Sequence, residues 1–254
     1  LMAGQNWSTF FDVGTLPDLL NFVGPVGTIF ERQPQIRWTS GNLQLAVENS
    51  TTRLSLPDGG SRIDDGEILP DFVARYNGKR GDLRWSVSGI ARQLDYEARE
   101  GALRMGSDST LGYGASIAGK WQLGSDDLRF MASYGDALGR YLGLNAFNDG
   151  YIASDGDIET IDQYGLVLAY RHVWAPAWRS SFSLSMSGAS NPSESELAGA
   201  GLLAKAYRSA HANLWYTPAP GLQLGGELIY GTKELENGRH GSLSRLQLAV
   251  KYAF

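Results

Sequence analysis

The sequence contains no cysteine, which rules out both a disulfide scaffold and a thiolate metal site. No run approaches the ~20 consecutive apolar residues that a membrane helix needs. Histidine is scarce: His172, His211 and His240 are the only three, and none stands at metal-ligand spacing from another, so neither metal nor cofactor is expected. There is no glycine-rich phosphate loop and no basic, aromatic-interleaved patch for nucleic acid. The first residues, Leu1-Met2-Ala3-Gly4, show neither a basic n-region nor an apolar h-region, so any signal peptide is expected to have been removed. The net charge of −5 carries little meaning until the charges are sorted by face.

What the chain has in quantity is glycine, 32 of 254 residues against a usual ~7 %, and aromatic side chains at 11 %. It also has strict two-residue alternation. The last stretch sets Leu246, Leu248, Val250, Tyr252 and Phe254 on one face and Arg245, Gln247, Ala249, Lys251 and Ala253 on the other. A strand with lipid on one side and water on the other needs this arrangement.

Similar segments recur near 1–9, 31–39, 42–50, 69–77, 82–95, 108–122, 127–135, 160–174, 178–189, 203–216, 221–233 and 242–254. Short turns such as Ser40-Gly41, Ala175-Pro176-Ala177 and Thr217-Pro218-Ala219-Pro220 alternate with longer polar segments at 10–30, 51–68, 96–107, 136–159, 190–202 and 234–241. Short turns at one end and long loops at the other are the topology of an all-β, transmembrane antiparallel β-barrel, here of about twelve strands. Residues 1–254 read as one such domain. Trp38, Tyr76, Trp85, Trp121, Trp174, Trp178, Tyr216 and Tyr252 gather at the turn ends, as an interfacial girdle would.

Parity sorts the charges. If the apolar face of each strand meets lipid, the cations pointing inward are Arg37, Arg75, Arg84, Arg92, Lys120, Arg129, Arg171, Arg179, Lys233, Arg245 and Lys251. The inward wall acids reduce mainly to Glu48, Asp71 and Glu227, so the lumen is expected to be basic in an acidic molecule. Strand 203–216 has no clean parity, which leaves Lys205 and Arg208 unassigned. The remaining acids, among them Asp58, Asp64, Asp65, Glu67, Asp149, Asp155, Asp157, Glu159, Glu194, Glu196, Glu234 and Glu236, fall in or beside the loops. There they either solubilise the loop tips or hold divalent cations that bridge lipopolysaccharide. An enzymatic alternative rests on His240 and Ser242, whose H-x-S spacing on the outer face suits a phospholipase-type barrel. No orienting residue lies at a matching height on strand 221–233, and a channel rather than an enzyme is expected.

Two sets of motifs resemble the DcaP-like outer-membrane porins. The first is Gly4-Gln5-Asn6-Trp7-Ser8-Thr9-Phe10 with Leu16-Pro17, Gly24-Pro25 and Arg32-Gln33-Pro34-Gln35-Ile36-Arg37. The second is Asn213-Leu214-Trp215-Tyr216-Thr217-Pro218 with Gly225-Gly226-Glu227 and Tyr230-Gly231. The resemblance implies a homotrimeric porin of sixteen strands in the bacterial outer membrane, passing small organic anions such as dicarboxylic acids, with membrane lipid and lipopolysaccharide around it. The terminal aromatics Tyr252 and Phe254 would be its insertion signal. This chain departs from the pattern by lacking the N-terminal strands, and an N-terminally truncated barrel is expected. Its segment 10–30 would then be the third extracellular loop, which in other trimeric porins folds into the lumen. The apolar content of that segment (Leu16, Leu19, Leu20, Phe22, Val23, Val26) suits a packed constriction, to which Leu16, Asp18, Phe22 and Arg32 are assigned.

Overall fold

The computed structural model describes residues 1–22, 24–56, 60–64, 69–100, 103–143 and 145–253, without the side chains of 64, 98–100 and 103–105. Phe254, Asp58, Asp65 and Glu67 therefore lie outside the described residues, as does the side chain of Asp64. Sixteen strands follow in chain order: β1 Met2–Trp7, β2 Arg32–Ser40, β3 Leu43–Glu48, β4 Thr52–Ser55, β5 Ser61–Asp64, β6 Asp71–Arg80, β7 Leu83–Glu100 and β8 Leu103–Leu123. After them come β9 Asp126–Asp136, β10 Gly150–Ile152, β11 Ile158–Thr160, β12 Asp162–Ala175, β13 Trp178–Ala189, β14 Ala204–Ala219, β15 Leu222–Leu235 and β16 His240–Tyr252.

Twelve of these strands form one sheet, in the order β1-β2-β3-β6-β7-β8-β9-β12-β13-β14-β15-β16, each antiparallel to its neighbour. This is the wall of a transmembrane barrel. Among the described residues its edge strands β1 and β16 do not pair with each other. Two-residue turns join the hairpins at one end. Gly41 and Gly81 open two of them with φ of 55° and 57°, a conformation a side chain would strain.

Lipid exposure follows the expected parity: Leu246, Leu248, Val250 and Tyr252 are 65–76 % exposed. The girdle forms as well, with Trp178 stacked on Tyr216 at 4.2 Å. β14 acquires a parity that its sequence concealed. Ser209, His211, Asn213 and Trp215 are buried on the inner face, so Arg208 points outward.

Three expectations are corrected. Within the expected loop 96–107, residues 96–100 and 103–107 are the projecting arms of β7 and β8, paired through Tyr96–Asp108 and Glu97–Ser107. The sequence there loses its two-residue apolar alternation, while backbone pairing continues. Segments 49–70 and 137–161 are not simply loops either. They supply β4, β5, β10 and β11, a second sheet in the order β11-β10-β4-β5. Finally, the inner face is not uniformly polar. Val73, Ile90, Ala118, Met131 and Val167 face inward and pack with Phe10, Phe11, Ile29, Phe30, Tyr141 and Leu142 from the connecting segments. These inward apolar residues are stable because protein, not water, covers them.

Leu184 is 66 % exposed on the outer face of β13. Leu184→Arg is expected to cost about 2–4 kcal/mol, the range for a charge on the lipid face near the midplane. Urea titration of the heat-modifiable folded band in vesicles reads that cost, and Leu184→Phe in the same assay should change stability by under about 1 kcal/mol.

Candidate substrate pathway

Residues 8–31 do not form a tip in solvent. They cross the inner face of the sheet and are tied to it along their length. The Thr9 N–H donates to Glu48 at 2.7 Å, and Ser88 donates to the Phe10 carbonyl at 3.1 Å. Asp12 accepts from Ser86 at 2.7 Å and lies 3.3 Å from Arg75. Arg129 donates to the Leu16 carbonyl, and Asp18 pairs with Arg179 at 2.7 Å. Further on, Leu20 and Asn21 donate their N–H groups to Glu227, and Gln247 donates to the Leu20 carbonyl.

Gly27 shows how close this approach is. A Cβ there would stand 2.4 Å from the Met186 carbonyl oxygen and 2.5 Å from that of Leu166. Its N–H donates to Ser185 at 2.8 Å, whose hydroxyl in turn donates to Leu166. No side chain fits between segment and wall.

Of the residues assigned to the constriction, Leu16 packs against the inner core and Asp18 forms its ion pair. Phe22 remains 78 % exposed, with its ring edge-on to Phe30. Arg32 does not belong to the segment. It opens β2 opposite Trp7, and its parity is that of the lipid-facing Ile36 and Trp38 rather than of the buried Gln33 and Gln35. The prolines and glycines that break segment 10–30 end before it, and extended pairing has already begun.

The eleven inward cations separate into two groups. Six hold carboxylates. Arg75 pairs with Asp12, Arg179 with Asp18, and Lys120, Arg129 and Arg171 converge on Asp127 at 3.5, 2.6 and 2.8 Å. Asp127 went unrecognised because it borders a turn, yet it is fully buried. The sixth, Arg92, is no pathway residue at all. It is 1 % exposed, contacts Asp149 at 2.8 Å and Asp71 at 3.5 Å, and donates to the carbonyls of Ala137 and Thr51.

Around Arg92, Arg140 reaches Asp71, Gln33 and the Asn49 carbonyl, while the Tyr141 hydroxyl donates to Asp71. This network clamps segment 137–149 to the wall. Asp149 is thus no loop-tip acid: its carboxylate also accepts the N–H groups of Arg53 and Arg140.

Arg37, Arg84, Lys233, Arg245 and Lys251 have no carboxylate within 4 Å among the described residues, although the Lys233 ammonium lies over the Tyr207 ring at 5.5 Å. Most informative is one inward row across four strands: Lys79 opposite Arg84, Arg84 opposite Lys120, Lys120 opposite Arg129. Like charges directly opposite one another destabilise a sheet. Lys79 was missed because the expected strand 69–77 stops short of it, whereas β6 continues to Arg80. Beside this row lies a polar cavity of about 270 Å³ lined by Asp12, Thr15, Arg75, Asn77, Arg84 and Lys120.

The outer-face pair His240 and Ser242 stands at the start of β16, opposite Glu234 and Thr232, and no hydrogen bond joins the two among the described residues. Tyr252 lies outward, opposite Leu222.

Comparison with known proteins gives the family. Residues 1–254 match the DcaP outer membrane protein family. The chain belongs to that family and is a protein of the bacterial outer membrane. Among solved structures it is similar to the outer membrane channel DcaP of Acinetobacter baumannii. That similarity has a TM-score of 0.82 at 20 % identity, over 99 % of this chain and 71 % of that one. It is also similar to an anion-selective porin from Comamonas acidovorans, with a TM-score of 0.57 at 9 % identity over 99 % and 73 %. OmpT of Vibrio cholerae in its trimer form gives 0.55 at 11 % over 98 % and 75 %. At these identities the structural likenesses establish the fold. No curated protein sequence matches.

Two outcomes test the geometry. Removing the guanidinium in Arg92→Leu strands two buried carboxylates and is expected to cost about 3–5 kcal/mol, read as a lower urea midpoint together with protease cleavage within 137–161. At the far loop, Glu194 accepts the N–H groups of Gly201 and Gly199, both at 2.8 Å, and these bonds hold its carboxyl below the ordinary 4.5. A depressed carboxyl stabilises above its unfolded value and loses that contribution as pH falls through the folded one. Hydrogen exchange at Gly199 and Gly201, corrected for intrinsic rates, should stay slow at pH 7 and quicken as the pH drops below about 4.5. Glu194→Gln should exchange fast throughout.

Proposed function

We propose that this DcaP-family wall forms a passive channel for small organic anions, with dicarboxylates the best fit, and that it is not an enzyme. The observation carrying this reading is the like-charged row Lys79-Arg84-Lys120-Arg129 beside the 270 Å³ cavity. Asp127 and Asp12 offset part of that charge, and Arg84 has no carboxylate partner among the described residues. A sheet that keeps four cations in cross-strand register gives up stability. Anion passage is a use that would retain such a row, since rings of Arg and Lys bias pores toward anions.

The solute path in this reading runs past Arg37, Arg75, Arg84, Lys120, Arg129, Arg171, Arg179, Lys233, Arg245 and Lys251, and Arg92 is withdrawn from it. Segment 8–31 narrows the lumen, with Leu16, Asp18 and Phe22 on it. Arginine suits the selection because its planar fork meets a carboxylate bidentately and stays charged. Assembly as a homotrimer belongs to the same reading, as does Tyr252-Ala253-Phe254 serving as the insertion signal. Among the described residues the outer-face His240 and Ser242 share no hydrogen bond, and Glu234, which stands opposite His240, pairs with Lys205 rather than orienting the imidazole as hydrolysis would require.

Reversal potentials across planar bilayers in a potassium chloride gradient test the proposal. The unmodified protein should prefer chloride. Arg84→Glu and Lys120→Glu should each move the potential toward cations, and the effect should shrink as the screening length falls from about 10 Å at 0.1 M salt to about 3 Å at 1 M. Arg84→Lys should keep the chloride preference and lose discrimination between dicarboxylates and monocarboxylates. Cation selectivity in the unmodified channel would overturn the reading.

A further inference from the structure

One charge lies where the fold gives it no internal use. Arg208 points out of β14 on the lipid side, with no ion-pair or side-chain hydrogen-bond partner among the described residues. The cross-strand row it belongs to runs Ala132, Leu166, Met186, Arg208, Thr232, Ser242 over six neighbouring strands. That row is apolar for three strands, as a lipid-facing belt should be, and then becomes a cation and two hydroxyls. Glu234, two residues beyond Thr232 on the same face of β15, pairs with Lys205 at 3.7 Å. A charge facing hydrocarbon is costly, and the cost falls only toward the interface.

Its height follows from strand geometry. Tyr216, in the girdle at the turn end, is eight residues further along β14. At about 3.3 Å per residue and a tilt near 40°, Arg208 sits roughly 20 Å above it, close to the upper edge of a ~25 Å apolar band. That is the level of outer-leaflet headgroups.

Directly beside Arg208 the outer wall is concave. A groove of about 680 Å³ is lined by the small Ala132 and Ala210 and the larger Leu166, Leu168, Leu184 and Tyr230, together with Arg208 and Thr232 on the neighbouring strands β14 and β15. Small residues between large ones make the hollow, and Arg208 brings a cation to it.

We propose that this groove is a binding site for a phosphorylated, acylated lipid of the outer leaflet. An acyl chain lies along Ala132 and Ala210, and Arg208, assisted by the Thr232 and Ser242 hydroxyls, holds the phosphate. Charge complementarity identifies the occupant. A fork of N–H donors with no protein carboxylate to meet it suits a phosphate, and the apolar groove suits a chain attached to that phosphate. The site is on the opposite face of the wall from the solute path and does not depend on which solute passes.

Native mass spectrometry of the detergent-folded full protein, with added lipid A and with lipid A stripped of its phosphates, tests this. The unmodified protein should retain bisphosphorylated lipid A at least about tenfold better than the stripped form. Arg208→Ala should abolish the difference, and Arg208→Lys should leave an intermediate one, because it keeps the charge and loses the fork. Unchanged preference in Arg208→Ala would overturn the proposal. So would an Arg208→Ala protein that loses its oligomeric state while binding lipid A as before, since Arg208 would then be a contact between protomers.

Discussion

Hydrocarbon offers no hydrogen bond to a peptide group, and the rest of this structure is built around that constraint. Each spanning strand must satisfy its N–H and C=O groups on its neighbours, so the chain runs as antiparallel hairpins with two-residue turns at one end. Pleating then gives every second residue to lipid and every other one to the interior. Leu246 and Arg245 are one peptide apart and face different solvents. With the outer face necessarily apolar, nearly all the chemical variety of the wall is concentrated on the inner one.

The inner face uses its charges in two ways. Where carboxylates are buried, they fasten segments to the wall: Asp71 and Asp149 hold Arg92 and Arg140, Asp127 gathers Lys120, Arg129 and Arg171, and Glu227 receives the turn at Leu20 and Asn21. Removing one partner from such a cluster is expensive because the remaining charge keeps its low-dielectric surroundings. Arg37, Arg84, Lys233, Arg245 and Lys251 have no carboxylate within 4 Å among the described residues. The segment lying across the inner face supplies some of the neutralising acids, Asp12 and Asp18. The same face thus carries both the charges that fasten segments to the wall and those left without a carboxylate partner among the described residues.

The twelve wall strands were legible because each repeats its lipid-facing residues at a period of two, a signal that is local to the strand. Parity was legible for the same reason: Arg37, Arg84 and Arg245 share a face with Gln35, Ser86 and Gln247. β14 concealed its parity because its outer face mixes Arg208 with Ala210 and Ala212 while its inner face carries Trp215. The row of opposed cations was hidden as well, since register between strands depends on turn placement, and ending strand 69–77 three residues short of Arg80 left Lys79 out of the wall.

By itself, therefore, the sequence determined what is periodic along one strand: the twelve strands of the wall, their lipid face and the sign of the charge opposite it. Only the tertiary structure decided which of those charges remain free. Arg92 and Arg84 occupy equivalent parity on the same strand, but Arg92 meets Asp149 and Asp71, carboxylates far from it in the chain, and Arg84 meets Lys79 and Lys120. Pairing is a through-space property. It is set by register and by where residues 8–31 and 137–149 fold across the wall, and no short-range pattern encodes either one.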